Sequence, residues 1–301
     1  MAMTDIPAST SVSAAAPSRS YGQMIVRRFM SHRMAVAGAV LVVLLCSSAL
    51  FAQFVAPHDP TTIDTAKRFL PPLASWTYPL GTDDLGRDTL SRLLHGGQVS
   101  LMVGVVAMLT TMLTGTLVGL AAGYYGGLVD NLLMRFVDTL LCFPQVFLLL
   151  VVAAFVPPTI LSISLIIGLT SWMEVSRIVR AQVSTLKEMD FVQASRGFGA
   201  SNWRIMLVEL LPNIAAPVLV AATLKVATAV LMESYISFLG YGMQPPMASW
   251  GNMLTNAQGY FDTVPFLAIL PGILITFTVM GFNFLGDGLR DAVDARLKID
   301  P

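Results

Sequence analysis

Charge is what this sequence has least of. Asp, Glu, Lys and Arg make up 12% of its 301 residues while apolar side chains make up 55%, and a soluble domain carries about a quarter charged residues. Water is therefore the wrong solvent for most of the chain. Histidine is scarcer still: His32, His58 and His95 are scattered, and no HExxH zinc pattern occurs. Neither a G-x-S-x-G nucleophile motif nor a G-x-x-x-x-G-K-S/T phosphate loop is present. These absences count against a membrane enzyme. The two cysteines, Cys46 and Cys142, fall in apolar stretches and read as small filler, not as a disulfide framework or a metal site. Internal repeats are also missing.

What the chain does have is long stretches without charge. A helix needs roughly 20 residues to cross a hydrocarbon core of about 30 Å. Met34 to Val55 makes one such span, after the basic cluster Arg27, Arg28, His32 and Arg33. Val99 to Ala122 makes a second, inside the ion-free interval between Arg92 and Asp130. The 35 uncharged residues between Asp138 and Glu174 would measure about 52 Å as one helix, so they are expected to form two. Pro157-Pro158 marks the hairpin between them, since it removes two backbone donors and disfavours helix just before it. A fifth span runs from Asn213 to Phe238, and a sixth fills the 24 uncharged residues from Thr263 to Gly286.

The expectation is an all-α membrane protein with six transmembrane helices and both termini on one side. Of the 18 Lys and Arg residues, 13 then lie on the side of the termini, Lys67, Arg68, Arg87 and Arg92 lie on the other, and Lys225 lies within a span. The positive-inside rule makes both termini cytoplasmic. The first span has 22 uncharged residues, more than the about 7 to 15 of a signal-peptide core, and reads as an uncleaved anchor.

Residues 1–20, rich in Ala, Ser, Thr and Pro, are too poor in large apolar groups to fold and are expected to form a disordered cytoplasmic tail. In 21–33, Met24, Ile25, Phe29 and Met30 alternate with Arg27, Arg28 and Arg33. That pattern suits a short helix on the inner membrane surface, or simply a topogenic flank to the first span. Residues 34–301 form the six-helix domain, with external loops at 56–98 and 239–262 and a cytoplasmic loop at 179–212.

The cytoplasmic loop carries the most specific pattern. Lys187 to Asn213 reads KEMDFVQASRGFGASNWRIMLVELLPN. Glu188 to Phe198 has helical spacing, with Phe191 and Ala194 or Ser195 on one face. Gly197 and Gly199 end that helix by accepting a left-handed cap. Ser201 caps a second helix from Asn202, which Pro212 breaks at the entrance to the fifth span. A short helix, a sharp turn and a second helix make a lever.

This loop resembles the signature of permease subunits of ATP-binding-cassette importers: Glu-Ala-Ala, three residues, Gly, nine residues, Ile, one residue, Leu-Pro. Gln193, Ala194 and Ser195, then Gly199, then Leu211 and Pro212 occupy those positions, with Gln193 in place of Glu and Glu209 in place of Ile. Two further stretches, PLGTDDLGRDTLSR from Pro79 to Arg92 and SYISFLGYGMQPPMASWG from Ser234 to Gly251, look like hallmarks of the C-type subunit of dipeptide, oligopeptide and nickel permeases. The similarity covers about Tyr21 to Arg296.

The resemblance implies a type I importer permease fold in a bacterial inner membrane, with the Glu188 to Asn202 region docking on an ATPase. It implies a second homologous permease, two ATP-binding-cassette ATPases that carry ATP and Mg, and an extracytoplasmic binding protein as partners. The chain itself would bind no cofactor, metal or nucleic acid and would contact only lipid, partners and cargo. Short peptides are the expected cargo, with nickel complexes or glutathione as alternatives. The spans hold Met, Ser, Thr, Gly and Ala, which accommodate varied shapes, and no His or Cys cluster for a soft or borderline metal.

Three groups of residues remain. Asp83, Asp84 and Asp88 lie near Arg87 and Arg92 but lack the alternate ligands and terminal Glu of an EF-hand. A turn at Gly81 and Gly86, held by carboxylate–guanidinium pairs at the outer surface, is expected there, within reach of a binding protein. Pro245-Pro246 and Trp250-Gly251 read as a stiff elbow with an interfacial aromatic, a structural gate. Lys225 and Glu233 are over two turns, about 12 Å, apart on one helical face, and charges at that depth are expensive. By resemblance Glu233 matches an acidic position of the family, and with Ser237 and Trp250 it is a candidate for the outer gate or translocation path. Lys225 either pairs with the companion subunit or is peculiar to this chain. A proton-coupled carrier would need an acidic relay deep in the spans, whereas Asp138 and Glu174 fall toward cytoplasmic ends in this reading.

Overall fold

The structure is a computed structural model that describes residues 21–293; the tail expected over 1–20 and the last residues, 294–301, lie outside the described residues. Helix α1 (Tyr21–Ser31) carries apolar and basic residues on different faces and packs against the last helix of the chain. At His32 the chain turns into α2 (Arg33–Leu50), where the His32 ring accepts a hydrogen bond from the Ala35 amide at 3.1 Å and so satisfies one orphan donor of the helix start. A short α3 (Ala52–Val55) follows. Then comes an irregular segment with one 3-10 turn at Thr65–Lys67. There Lys67 hydrogen-bonds Asp64 and holds that carboxyl below its usual range.

Helix α4 (Thr89–Tyr125) has 37 residues, about 55 Å. It starts ten residues before the expected second span, because Asp88 accepts the Ser91 amide at 2.9 Å and caps it there. Its length exceeds a hydrocarbon core, so one end stands out of the membrane. Gly126 and Gly127 then reverse the chain into α5 (Gly127–Leu141).

The third span differs from expectation. It is α5 followed by α6 (Gln145–Ala153), bent by 82° at the break. Pro144, which supplies no N–H and pushes Phe143 out of helical geometry, ends the first part. Cys142 lies at that break, and it and Cys46 are exposed on this chain, not buried filler. Pro157-Pro158 does mark the next turn, and α7 (Ile160–Leu186) follows with a Thr159–Ser162 capping box.

After α7 come α8 (Asp190–Gly197), α9 (Asn202–Arg204), a π-helical segment at Ile205–Leu210, and α10 (Leu211–Asn213). Pro212 does not break this second arm, contrary to expectation. The wider π turn lies just before it, in a region where a missing amide is easily accommodated, and the break falls at Ile214 instead. Helix α11 (Ala215–Phe238), α12 (Trp250–Gln258) and α13 (Phe266–Val293) complete the described chain. Among the described residues, five helices are long and apolar enough to cross a membrane, or six if the bent pair counts as one span.

Helix α4 is the hub: its most extensive partner is α7, and α11 also lies along it. The reason is a stripe of small residues. Gly115, Gly119 and Gly123 recur every fourth position, and a Cβ on any of them would come within 2.6–2.8 Å of Val175, Val179 or Val183 on α7. Close backbone approach of this kind is what holds helices together where lipid removes the hydrophobic drive. A second seam joins α2 to α13 through Gly38 and Gly281.

Candidate functional site

The lever is built on α8. Asp190 in its first turn and Arg196 in its last suit the helix dipole. Its one fully buried residue is Val192, which joins Val183, Ile205, Met206, Leu210 and Tyr124 in a single apolar cluster. Phe191 is exposed, because Val192 is the residue turned toward the π segment. Gln193, Ala194, Arg196, Gly197 and Phe198 are all exposed, so one side of the helix is bare.

Its C-terminus is a Schellman motif. The Gly199 amide donates to Arg196 O at 3.0 Å and the Ala200 amide to Ser195 O at 3.1 Å, with Gly199 at φ +79°. That pattern satisfies carbonyls that a helix end otherwise leaves orphaned. Gly197, also expected to end the helix, is its last residue. Ser201 then accepts the Arg204 amide and starts α9.

The two arms are tied together. Ser195 Oγ donates to Glu209 Oε1, and Tyr124 Oη donates to Asn202 Oδ1 at 2.8 Å while the Arg196 guanidinium stands 5.3 Å from the Tyr124 ring centre. The Glu209 Oε2 atom is buried with no partner. Leu211 packs against the apolar cluster, and Pro212 is exposed. Thus Gln193, Ala194 and Gly199 are exposed, Ser195 is half-buried against Glu209, and Leu211 and Pro212 anchor the second arm at the foot of α11. At the same end, Arg180 holds Asp130 with two nitrogens, Nε and Nη2, each 2.5 Å from a carboxylate oxygen, and Arg177 pairs with Asp138, fixing α5 against α7.

At the opposite end Glu233, Ser237 and Trp250 meet in one buried joint. Glu233 accepts from Ser100 Oγ at 2.9 Å and from Ser237 Oγ at 2.8 Å. Ser100 Oγ also receives the Trp250 amide at 3.2 Å, and the Trp250 indole N–H donates to Leu93 O at 2.9 Å. Trp250 is only 2% exposed. It is therefore a core residue of this joint between α4, α11 and α12, not an interfacial aromatic. A Cβ at Gly251 would meet Ser234 and Ser237 at 2.7 Å, so the chain has no free space there.

The acidic turn next to it is also less superficial than expected. Arg87, Asp88 and Arg92 are buried, with Arg87 Nε 2.7 Å and Arg92 Nε 3.4 Å from Asp83 Oδ2. Gly81 and Gly86 do make the turn, at φ +76° and +75°. Around a small cavity lined by Asp84, Thr89 and Arg92, several buried polar atoms lack partners.

Two contacts were not legible in the sequence: the hydrogen bond from Ser195 to Glu209, and the ion pair of Lys225 Nζ with Glu174 Oε2 at 2.5 Å across α11 and α7. Glu174 does not fall near the cytoplasmic end of its helix, because α7 begins at Ile160 and ends at Leu186. The signal for them is that Glu209, Glu174 and Lys225 each sit among apolar neighbours.

Apolar spans around a glycine-seamed hub, with a bare lever at one end, define a polytopic helical membrane protein that can take a partner at that end. Residues 115–299 match the family described as binding-protein-dependent transport system inner membrane component, and residues 20–72 match the N-terminal TM domain of oligopeptide transport permease C. The dipeptide transport system permease protein DppC of Haemophilus influenzae is 36% identical over 276 residues, covering 90% of this chain and 93% of that protein. The glutathione transport system permease protein GsiD of Pectobacterium atrosepticum is 37% identical over 274 residues, 90% of each. A putative peptide transport system permease protein of Brucella abortus is 38% identical over 300 residues, 99% of this chain and all of that protein. The chain belongs to the binding-protein-dependent transport system inner-membrane component family. It is a permease subunit of an ATP-binding-cassette importer, a transport subunit and not an enzyme.

Proposed function

We propose that this chain forms half of the translocation path of a di/oligopeptide importer and passes the ATP cycle to that path through α8. The observation that carries the reading is the Schellman-capped helix with Gln193, Ala194 and Gly199 exposed, in a chain whose relatives over 90% or more of its length are named for peptide transport. Both termini and α8 are cytoplasmic in this reading. Two ATPase subunits, which hold ATP and Mg, dock on α8 and on its counterpart in a homologous second permease. An extracytoplasmic binding protein delivers cargo at the end where α12 and the acidic turn lie.

Force enters at α8 and travels along two routes. The Ser195–Glu209 bond and the Val192 cluster pass it to α11, and the stem of α7 passes it to α4 through the glycine seam. Because α4 is joined to α12 at the Glu233 joint, displacement of the lever reaches the outer end as a rigid-body rocking. Glu233, Ser237 and Trp250 then act as the hinge of an outer gate and do not touch cargo.

The test is growth of an auxotroph on di- to pentapeptides with and without this gene, with glutathione and nickel uptake measured in the same strains. Loss of peptide use supports the reading. Unchanged peptide use with lost nickel uptake overturns the cargo while leaving the permease assignment intact. A specific loss of glutathione uptake would favour the second reading, motivated by the 37% identity to the glutathione permease.

A further inference from the structure

Midway along α7 and α11 a pair of opposite charges opens onto the surface of the chain. Lys225 Nζ lies 2.5 Å from Glu174 Oε2, with the lysine side chain 13% and the glutamate side chain 65% exposed. Both helices are membrane spans by length and composition, and Glu174 lies near the centre of the 27-residue α7. At that depth a surface faces lipid, another chain or a water-filled path. A bare carboxylate facing lipid is expensive, and ionisable residues inside a membrane turn toward cavities or partners.

The surroundings point to a path. A groove of about 670 Å³ runs between α7, α11 and α13, lined among others by Ile178, Gln182, Val220, Leu224 and Arg290. Glu174 and Lys225 are not among its lining residues, but Ile178, one turn beyond Glu174, and Leu224, next to Lys225, are, so the groove opens beside the pair. The volume falls in the range of small-ligand sites, about 300–1,000 Å³.

We infer that the Glu174–Lys225 pair is a binding site for the charged termini of the peptide in transit. The inference rests on the peptide reading above. The α-ammonium of the peptide takes the place of Lys225 on the Glu174 carboxylate, and its terminal carboxylate takes the place of Glu174 on the Lys225 ammonium. Two opposite charges meet two opposite charges, so the exchange adds no net charge to a low-dielectric region and leaves no buried ion unpaired. A dipeptide spans at most about 7 Å, which lets both termini reach two side chains that otherwise touch each other. The cargo side chains then lie toward the groove, whose lining is mostly aliphatic with Gln182 and Arg290 as its polar members. The greater exposure of Glu174 makes it the first contact, and the packed stem of Lys225 fixes the second.

The test uses the complete importer, with both permeases, both ATPases and the binding protein, in proteoliposomes supplied with ATP and labelled Ala-Ala. Three variants are compared with wild type: Glu174→Gln, Lys225→Met, and the swap Glu174→Lys with Lys225→Glu. The expected result is that all subunits still co-purify while Ala-Ala uptake falls at least tenfold in every variant, the swap included, since the swap recesses the carboxylate that meets the ammonium first and reverses the peptide against the groove. Recovery of uptake in the swap would make the pair a structural staple and overturn the inference. Uptake near wild type in Glu174→Gln would overturn it too. Loss of the second permease from the variant complexes would place the pair in the subunit interface, with the same consequence. A wild-type importer that carries no Ala-Ala removes the peptide reading and this inference together, whereas variants that behave like an active wild type remove the inference alone.

Discussion

Replacing Gly199 with valine tests the lever at its turn. The position has φ +79° and no atom within 4 Å of a built Cβ, so a side chain meets no clash and the whole penalty is conformational. An L-residue held in the left-handed region costs about 1–2 kcal/mol, and a β-branched one stands at the upper end or beyond. The alternative is to release the turn. That gives up two hydrogen bonds, Gly199 N to Arg196 O and Ala200 N to Ser195 O, each with a net worth of about 1 kcal/mol. Either route costs about 1–2 kcal/mol or slightly more, a factor of roughly 5–30 in the population of the formed turn. The chain should still insert, because no span is touched. ATP-driven uptake and retention of the ATPases on the purified complex should both fall several-fold or more in Gly199→Val and less in Gly199→Ala. Gly199→Asn should stay near wild type, because Asn tolerates this region. Normal uptake and normal ATPase retention in Gly199→Val would refute the reasoning. An Asn variant as damaged as the Val one would show that contact with a partner, and not backbone conformation, sets the requirement.

Reporter fusions after Arg196 and Arg290 should read cytoplasmic and those after Arg68 and Ala248 external; an external Arg196 fusion would rule out an ATPase at α8. Ser195→Ala removes the one partner of the Glu209 carboxylate, whose other oxygen is already buried and unpaired, and should cost about 1–3 kcal/mol. Adding Glu209→Ile should recover most of that loss in thermal unfolding of the purified complex, and a double variant no better than the single would contradict the pairing. Trp250→Ala empties a packed joint and removes the bond to Leu93 O, with an expected cost of about 3–5 kcal/mol. Membrane abundance should fall accordingly, and unchanged abundance with unchanged melting would show that Trp250 is not a core residue.

The presence of most spans was legible because hydrophobicity is a property of consecutive residues, and the cap at Ser201 and the turn at Gly199 are local in the same sense. Even so, the rule that identified Pro157-Pro158 applies equally to Pro144, where the helix bends by 82°; a lone proline in an apolar run gives no sign of whether the helix will tolerate it. Phe191 and Val192 are neighbours with equal claims to burial on an eight-residue helix, and only the position of Ile205 and Met206 selects Val192.

By itself, then, the sequence determined that this chain is helical, that it crosses a membrane, where its lever lies and which residues turn it. Only the tertiary structure decided which charges meet and which residues are covered. Glu174 finds Lys225 51 residues away, Asp130 finds Arg180 50 away, and Glu233 reaches Ser100 133 away. Trp250 passes from an apparent interfacial anchor to the centre of a joint because α4 passes beside it. The physical reason is that helix formation depends on neighbours along the chain, whereas pairing depends on how far each helix is rotated about its axis and how closely its small residues let another approach.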